Sequence, residues 1–359
     1  MVWFLALLAI GLFSTHFATY SHAICNVKNQ LPYYRWDSFW YTSIARHGYS
    51  FSIEKNSSIA FFPLYPLIIK IARFVFPFSE EKLSFGLNIL LAYFTVLFLW
   101  RLARFDFSEK ISRNILLVFL FFPPAYFFFS GYPDVLFALL AIISLYFARK
   151  KQWLFAGIFS GLLAVTKPYG IFMLPALGLE YFQSNGWDFK SALKKIDWLY
   201  LLLPIVTLGA FLYFNFVRFH DPLAFLHTQK TWGRQLGNPL ISLWHEARTY
   251  LLSGNIFTGE NFPYLVYLAS LIFSFFAGWA AWKYVRKTYL VFPAFILLSA
   301  LLTGTLTSWG RYMLLGFPIL IGPAVFLSRR KWLFRAYLVL SIAGLLILAH
   351  LFVRCYPVE

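Results

Sequence analysis

The segment RWDSFWYTSIARHGYS, residues 35–50, packs Arg35, Asp37, Arg46 and His47 among Trp36, Trp40, Tyr41 and Tyr49, and AFFPLYP follows at 60–66. A carboxylate can take the proton from a hydroxyl as that hydroxyl attacks a carbon centre. Guanidinium groups beside it can grip phosphate oxygens two at a time. With aromatic rings around them, these types make a pocket for sugar and phosphate, with Asp37 as its base. The plain alternatives are an interfacial aromatic belt with snorkelling arginines, or an ion pair from Asp37 to Arg35 or Arg46. A belt has no use for a carboxylate, so it leaves Asp37 unexplained.

Four further segments carry chemistry-bearing residues. FFSGYPDVLF (128–137) sets Asp134 where a short loop meets an apolar helix. It is a second catalytic candidate, or a first-turn acid facing the helix dipole. TKPYG (166–170) sets Lys167 beside a Pro-Gly break, where a cation stabilises a phosphate leaving group or simply snorkels. HDPLAFLHTQKTWGRQ (220–235) opens on an Asp221-Pro222 turn and offers Gln229, Trp232 and Arg234 to sugar or phosphate. SWGRYMLLGFP (308–318) supplies Arg311 and Tyr312, and Arg311 is the strongest phosphate clamp of the second half. His220, His227 and His245 lack the partner carboxylates and spacing of a metal centre. No Walker loop, HExxH or GxSxG in a strand–turn–helix context occurs, so nothing reads as ATP-driven or hydrolytic.

The elements that must position these residues are apolar helices. Of 359 residues, 60% are hydrophobic and only 13% charged, with 44 Phe, which excludes a soluble domain. The formal charge of +17 falls in short clusters between apolar segments, such as Arg149, Lys150 and Lys151, or Arg329, Arg330 and Lys331. That is the positive-inside pattern and not a nucleic-acid surface. It predicts an all-α integral membrane protein, one domain over 1–359. About eleven spans are expected, near 3–23, 83–100, 114–130, 135–148, 153–166, 169–182, 198–217, 262–282, 289–307, 312–327 and 333–352. The span 3–23 reads as a retained anchor. The Pro-punctuated stretch 60–78 reads as interfacial or re-entrant, and breaks are expected around 123–134 and 166–175. All the motif-bearing loops, including the large ones at 24–82 and 218–261, then fall on the extracytoplasmic face. Cys25 and Cys355 have no metal or CxxC spacing; a bridge between them requires both to face an oxidising compartment, and two free thiols are the expectation.

RWDSFWYTSIARHGYS with AFFPLYPLI resembles the signature of the PIG-V-like mannosyltransferases, the GPI mannosyltransferase 2 family. The likeness continues in order through FFSGYPDVLF, TKPYG, HDPLAF with Gln229 and Trp232, and RYMLLGFP, over nearly the whole chain. Its length and lack of an obvious retention signal point to a prokaryotic homologue in the plasma membrane; a eukaryotic one would sit in the endoplasmic reticulum. The resemblance implies a polytopic GT-C fold and a site on the extracytoplasmic or lumenal face. It also implies a polyprenyl- or dolichyl-phosphate sugar donor, most often mannose. The family's early-loop acid falls on Asp37. The family carries Glu where Asp134 stands and Arg where Lys167 stands; both departures keep the charge, but Lys cannot grip bidentately.

The expected function is an inverting glycosyltransferase passing a hexose to a lipid or glycan acceptor. Asp37 is its base and Asp134 assists. Arg311 and Lys167 hold the phosphate, and Arg35, Trp36, Trp40, Tyr41, Arg46, His47, Asp221, Gln229, Trp232, Arg234 and Tyr312 bind substrate. Phosphate leaves readily, so no separate general acid is demanded, and no cofactor is specified. The GT-C class admits a divalent metal, but two separated carboxylates do not specify one. The partners expected are the lipid-linked donor, the acceptor and membrane lipid, with no nucleic acid. Rival readings are transfer of another lipid-linked sugar to lipid, glycan or protein, and a flippase for a lipid-linked saccharide. A flippase predicts inverted repeats and midplane charges.

Overall fold

The computed structural model describes residues 31–234, 237–241, 265–303, 306–356 and 358, the backbone of 262–264, and single positions 7, 9, 11, 12, 14, 243, 244 and 248. The expected span 3–23 falls largely outside these residues, as do Cys25 and His245. The described residues contain helices and no strand.

After the short α1 (Ser38–His47) and α2 (Leu64–Val75), the chain runs through α3 (Glu80–Ala103), α4 (Glu109–Leu120) and α5 (Asp134–Arg149). It continues with α6 (Trp153–Ala164), α7 (Met173–Ser184), α8 (Phe189–Lys194), α9 (Leu203–Phe219) and the single turn α10 (Ala224–His227). The last part holds α11 (Phe262–Tyr284), α12 (Lys287–Leu302), α13 (Trp309–Leu315), α14 (Pro318–Ser328) and α15 (Lys331–Val353). Helix α5 is apolar all round and buried almost throughout, between α3 and α6, which is where such a helix must sit. It is the post around which the site is built, and Asp134 is its first residue.

Among the described residues, four helical runs are long and apolar enough to cross a membrane: Glu80–Ala103, Ile196–Phe219, Leu265–Tyr284 and Lys331–Val353. The pair α13 and α14, bent by 88°, makes a fifth if counted as one span. The other expected spans coincide with shorter helices, and the interruptions have identifiable causes. Pro123 and Pro124 open a 3-10 turn (Pro123–Phe128) after α4, and Pro168 opens another (Pro168–Phe172) before α7. Helix α2 has 12 residues, about 18 Å of rise, too short to cross a hydrocarbon core of about 30 Å unaided. Its end exposes Phe74 and Val75.

One expectation fails. Cys355 is disulfide-bonded and completely buried, where a free thiol was expected. Cysteine spacing reveals metal and CxxC motifs, but not which distant thiols the fold brings together.

Candidate active site

Asp37 occupies the N-cap position of α1. An N-cap aspartate ordinarily accepts hydrogen bonds from the first helical amides. Here the side chain makes no capping bond. Trp36, just before it, holds a left-handed φ of 46°, a conformation that costs a non-glycine residue about 1–3 kcal/mol. The Asp37 amide donates to the Tyr132 hydroxyl at 3.1 Å. The result is a carboxylate turned away from its own helix, with its side chain 25% exposed on a cavity of about 1490 Å³.

Behind it lies a buried ion cluster. Asp134 is wholly inaccessible and accepts from Arg311 twice, at 2.6 Å from Nε and 2.9 Å from Nη2. The Lys167 ammonium stands 3.1 Å from its Oδ2. Arg311 Nη1 lies 3.8 Å from Asp37, so Asp37 faces Arg311 and not Arg35 or Arg46. The Arg311 guanidinium also rests over the rings of Phe127 and Tyr132, at 4.8 and 4.6 Å. Burial, then Arg311, brings Lys167 down to about 8, and Asp134 resists that fall.

The loop before Asp134 is fixed by Asn88 of α3. Its amide donates to the carbonyls of Ser130 and Tyr132, and its oxygen accepts from Tyr65 at 2.9 Å. Gly131 lets this loop lie against α1, since a Cβ there would stand 3.1 Å from both Ser38 Cβ and Ser84 Oγ. Opposite, the 3-10 turn Thr228–Trp232 brings Trp232 edge-on to Trp40 at 5.2 Å and to Phe61 at 5.3 Å. Gly233 then turns the chain at φ 72°, and the amides of Gly233 and Arg234 bond back to Lys230 and Gln229, a Schellman closure.

With this geometry stand the comparisons. The family model described as "Glycosyltransferase family 87" matches residues 62–308. The chain belongs to glycosyltransferase family 87. The match spans Asp134, Lys167 and Arg234, and leaves Asp37 and Arg311 on either side. No curated protein matches this family 87 chain by sequence. Among solved structures it is similar to ArnT from Cupriavidus metallidurans, bound to undecaprenyl phosphate, with TM-score 0.55 and 13% identity over 99% of this chain and 76% of that one. It is also similar to the apo oligosaccharyltransferase of Archaeoglobus fulgidus, with TM-score 0.50 and 14% identity over 99% of this chain and 56% of that one. The chain is therefore a membrane glycosyltransferase with the fold of the GT-C enzymes, the level at which the PIG-V-like resemblance holds.

The fold gathers most of the expected residues on one cavity: Arg35, Trp36, Asp37, Trp40, Tyr41, Lys167, Gln229, Trp232, Arg234, Arg311 and Tyr312 line it. Asp134 lies just behind the wall. Arg46 and His47 do not line it; Arg46 pairs with Glu80 and Glu81 at 2.6 and 3.1 Å on the surface. Asp221 caps the Leu223 amide and pairs with His227, which does reach the cavity. Arg35 lines it but donates to the carbonyls of Val353, Leu31 and Tyr34, tying the first loop to the end of α15. Among the described residues no three His, Cys, Asp or Glu side chains converge as metal ligands. Asn88, Tyr132 and Tyr169 did not stand out in the sequence, although a lone Asn within the expected span 83–100 is the kind of polar intrusion that marks a packed or functional position.

Proposed function

We propose that this enzyme moves a hexose from a polyprenyl- or dolichyl-phosphate carrier to a lipid or glycan acceptor on the extracytoplasmic face, with inversion. The PIG-V-like motifs support mannose as the sugar. The observation that carries the reading is the Asp37 carboxylate, free of its helix and presented to the cavity beside Arg311. Asp37 takes the acceptor hydroxyl proton while that oxygen attacks the anomeric carbon, and the carbon–phosphate oxygen bond breaks on the opposite side. Negative charge beside the oxocarbenium-like centre helps electrostatically. Five cationic side chains line the cavity, Arg35, Lys167, Lys230, Arg234 and Arg311, so its field favours an anionic leaving group. A polyprenyl carrier is further supported by the undecaprenyl phosphate bound to the ArnT of like fold. The basic clusters between apolar segments support a site on the outer face. In this reading Asp134 is a positioning residue, holding Arg311 and Lys167.

The test is transfer in proteoliposomes from radiolabelled polyprenyl-phosphate mannose, alongside other polyprenyl-phosphate sugars, to a lipid and glycan extract. Asp37→Asn should slow transfer by about 10²–10⁴-fold with the fold intact. Equal rates for both proteins would remove Asp37 from the base role.

A further inference from the structure

Of the five arginine and lysine side chains that line the cavity, Lys230 is exposed to solvent, and the other four are not equivalent. Arg35 is engaged by three backbone carbonyls. Arg311 is gripped bidentately by Asp134, and Lys167 by the same carboxylate. Arg234 differs: among the described residues its guanidinium makes no ion pair and no side-chain hydrogen bond, yet it lines the cavity. A guanidinium in such a place ordinarily finds an acceptor. Its backbone is held firmly by the Schellman closure at Gly233, with Trp232 edge-on to the stacked rings of Trp40 and Phe61.

Two hydroxyls line the same cavity. Tyr169 donates to Tyr312 at 3.2 Å, and the two rings meet edge to face at 5.3 Å. One phenolic hydrogen, that of Tyr312, is left to point onward. Tyr312 favours the charged guanidinium of Arg234 most, burial opposes it, Tyr169 and Asp37 favour it, and Arg311 opposes it.

Resting on the polyprenyl-phosphate reading above, we propose that the donor's phosphate is seated by Arg234 and the Tyr169–Tyr312 hydroxyl pair, while Arg311 and Lys167 form a fixed cationic wall engaged by Asp134. The step balances within this arrangement. The acceptor oxygen bonds to the anomeric carbon, its proton passes to Asp37, and the electron pair of the breaking bond stays on the phosphate oxygen. A phosphodiester with one negative charge becomes a monoester bearing one more, and Arg234 is the partly buried cation of the lining whose donors are free to meet it.

The experiment measures binding of polyprenyl phosphate, without sugar, to the full-length protein in detergent by quenching of tryptophan fluorescence, with polyprenol as the uncharged control. Arg234→Met should weaken polyprenyl phosphate at least about tenfold and leave polyprenol unchanged. Arg234→Lys should fall between, because the charge stays and the fork is lost. Tyr169→Phe, which removes one hydroxyl and little else, should weaken binding severalfold. In transfer assays Arg234→Met should raise the KM for the donor. Retention of full affinity by Arg234→Met and Tyr169→Phe would overturn the proposal and leave the lipid-phosphate reading standing. An equal loss in Lys167→Met and Arg234→Met would overturn the division between wall and seat. Failure of the wild-type protein to prefer polyprenyl phosphate over polyprenol would overturn both readings.

Discussion

Replacing Asp134 by Asn keeps the size of the side chain and removes the charge that neutralises two buried cations. Asp134 accepts at 2.6 and 2.9 Å from Arg311, and Lys167 stands 3.1 Å away, all out of water. After Asp134→Asn the nearest carboxylate to Arg311 is Asp37, at 3.8 Å. Breaking a buried pair by removing one partner costs about 3–5 kcal/mol, because the remaining charge stays desolvated. Part of this can be relieved. Lys167 titrates near 8 with Asp134 in place and lower without it, so losing its proton at pH 7 costs at most about 1.4 kcal/mol. The expected loss is therefore about 3–5 kcal/mol at pH 6 and distinctly less at pH 9. The assay is reversible unfolding in mixed micelles with tryptophan fluorescence as readout, on the single variants and on Asp134→Asn combined with Lys167→Met. In the Asn background, Lys167→Met should restore at least about 1 kcal/mol, since it deletes an unpaired cation. Strict additivity, or a single variant within about 0.5 kcal/mol of wild type, would refute the view that Asp134 holds this cluster together.

Two further outcomes follow from the same charges. Lys167 titrates near 8 in the fold and near 10.5 when free, so between those values the unfolded chain binds more protons. Stability should then rise with pH across that window, by up to about 3 kcal/mol relative to Lys167→Met, in parallel melting series; a flat difference would contradict it. Arg46 is 45% exposed where it meets Glu80 and Glu81, so Arg46→Ala should cost under about 1 kcal/mol and leave transfer kinetics unchanged. A fall in kcat/KM there would return Arg46 to the substrate site.

Much of this arrangement was legible as residue types and little of it as partners. Hydrophobic runs announce helices because a membrane chain must satisfy its backbone internally, and the prolines at 123, 124 and 168 announce the breaks. Asp37, Lys167, Arg311 and Arg234 stood out because charges amid aromatics are costly without a purpose. The sequence does not say what each charge touches. Arg311 finds Asp134 across 177 positions, and Arg35 finds Val353 across 318. Arg46 shares a segment with Asp37 but points to the far side of its helix, where Glu80 and Glu81 wait on α3. Asn88 looked like one polar residue in an apolar span, yet it fixes the loop that delivers Asp134.

A buried ion pair by itself does not mark an active site, and the molecule contains its own control. Away from the cavity, Glu180 is 2% exposed and meets Arg286 at 2.8 Å and Thr288 at 2.6 Å. Arg149 lies 3.9 Å from it and grips Asp106 with two bonds, at 2.6 and 2.9 Å, while a third reaches Tyr289. That cluster is as rich in charge as the one at Asp134, but its groups answer one another and none of them lines the cavity. It is a fastening between helices α5, α7 and α12. The Asp134 cluster differs in what surrounds it. On its open side are a carboxylate that declines to cap its own helix and a guanidinium without an acceptor among the described residues, both facing one cavity. A carboxylate that spares its own helix and a guanidinium without an acceptor cost stability, and a fold retains them where a ligand completes them. The acceptor's proton fits the first, and the carrier's phosphate fits the second.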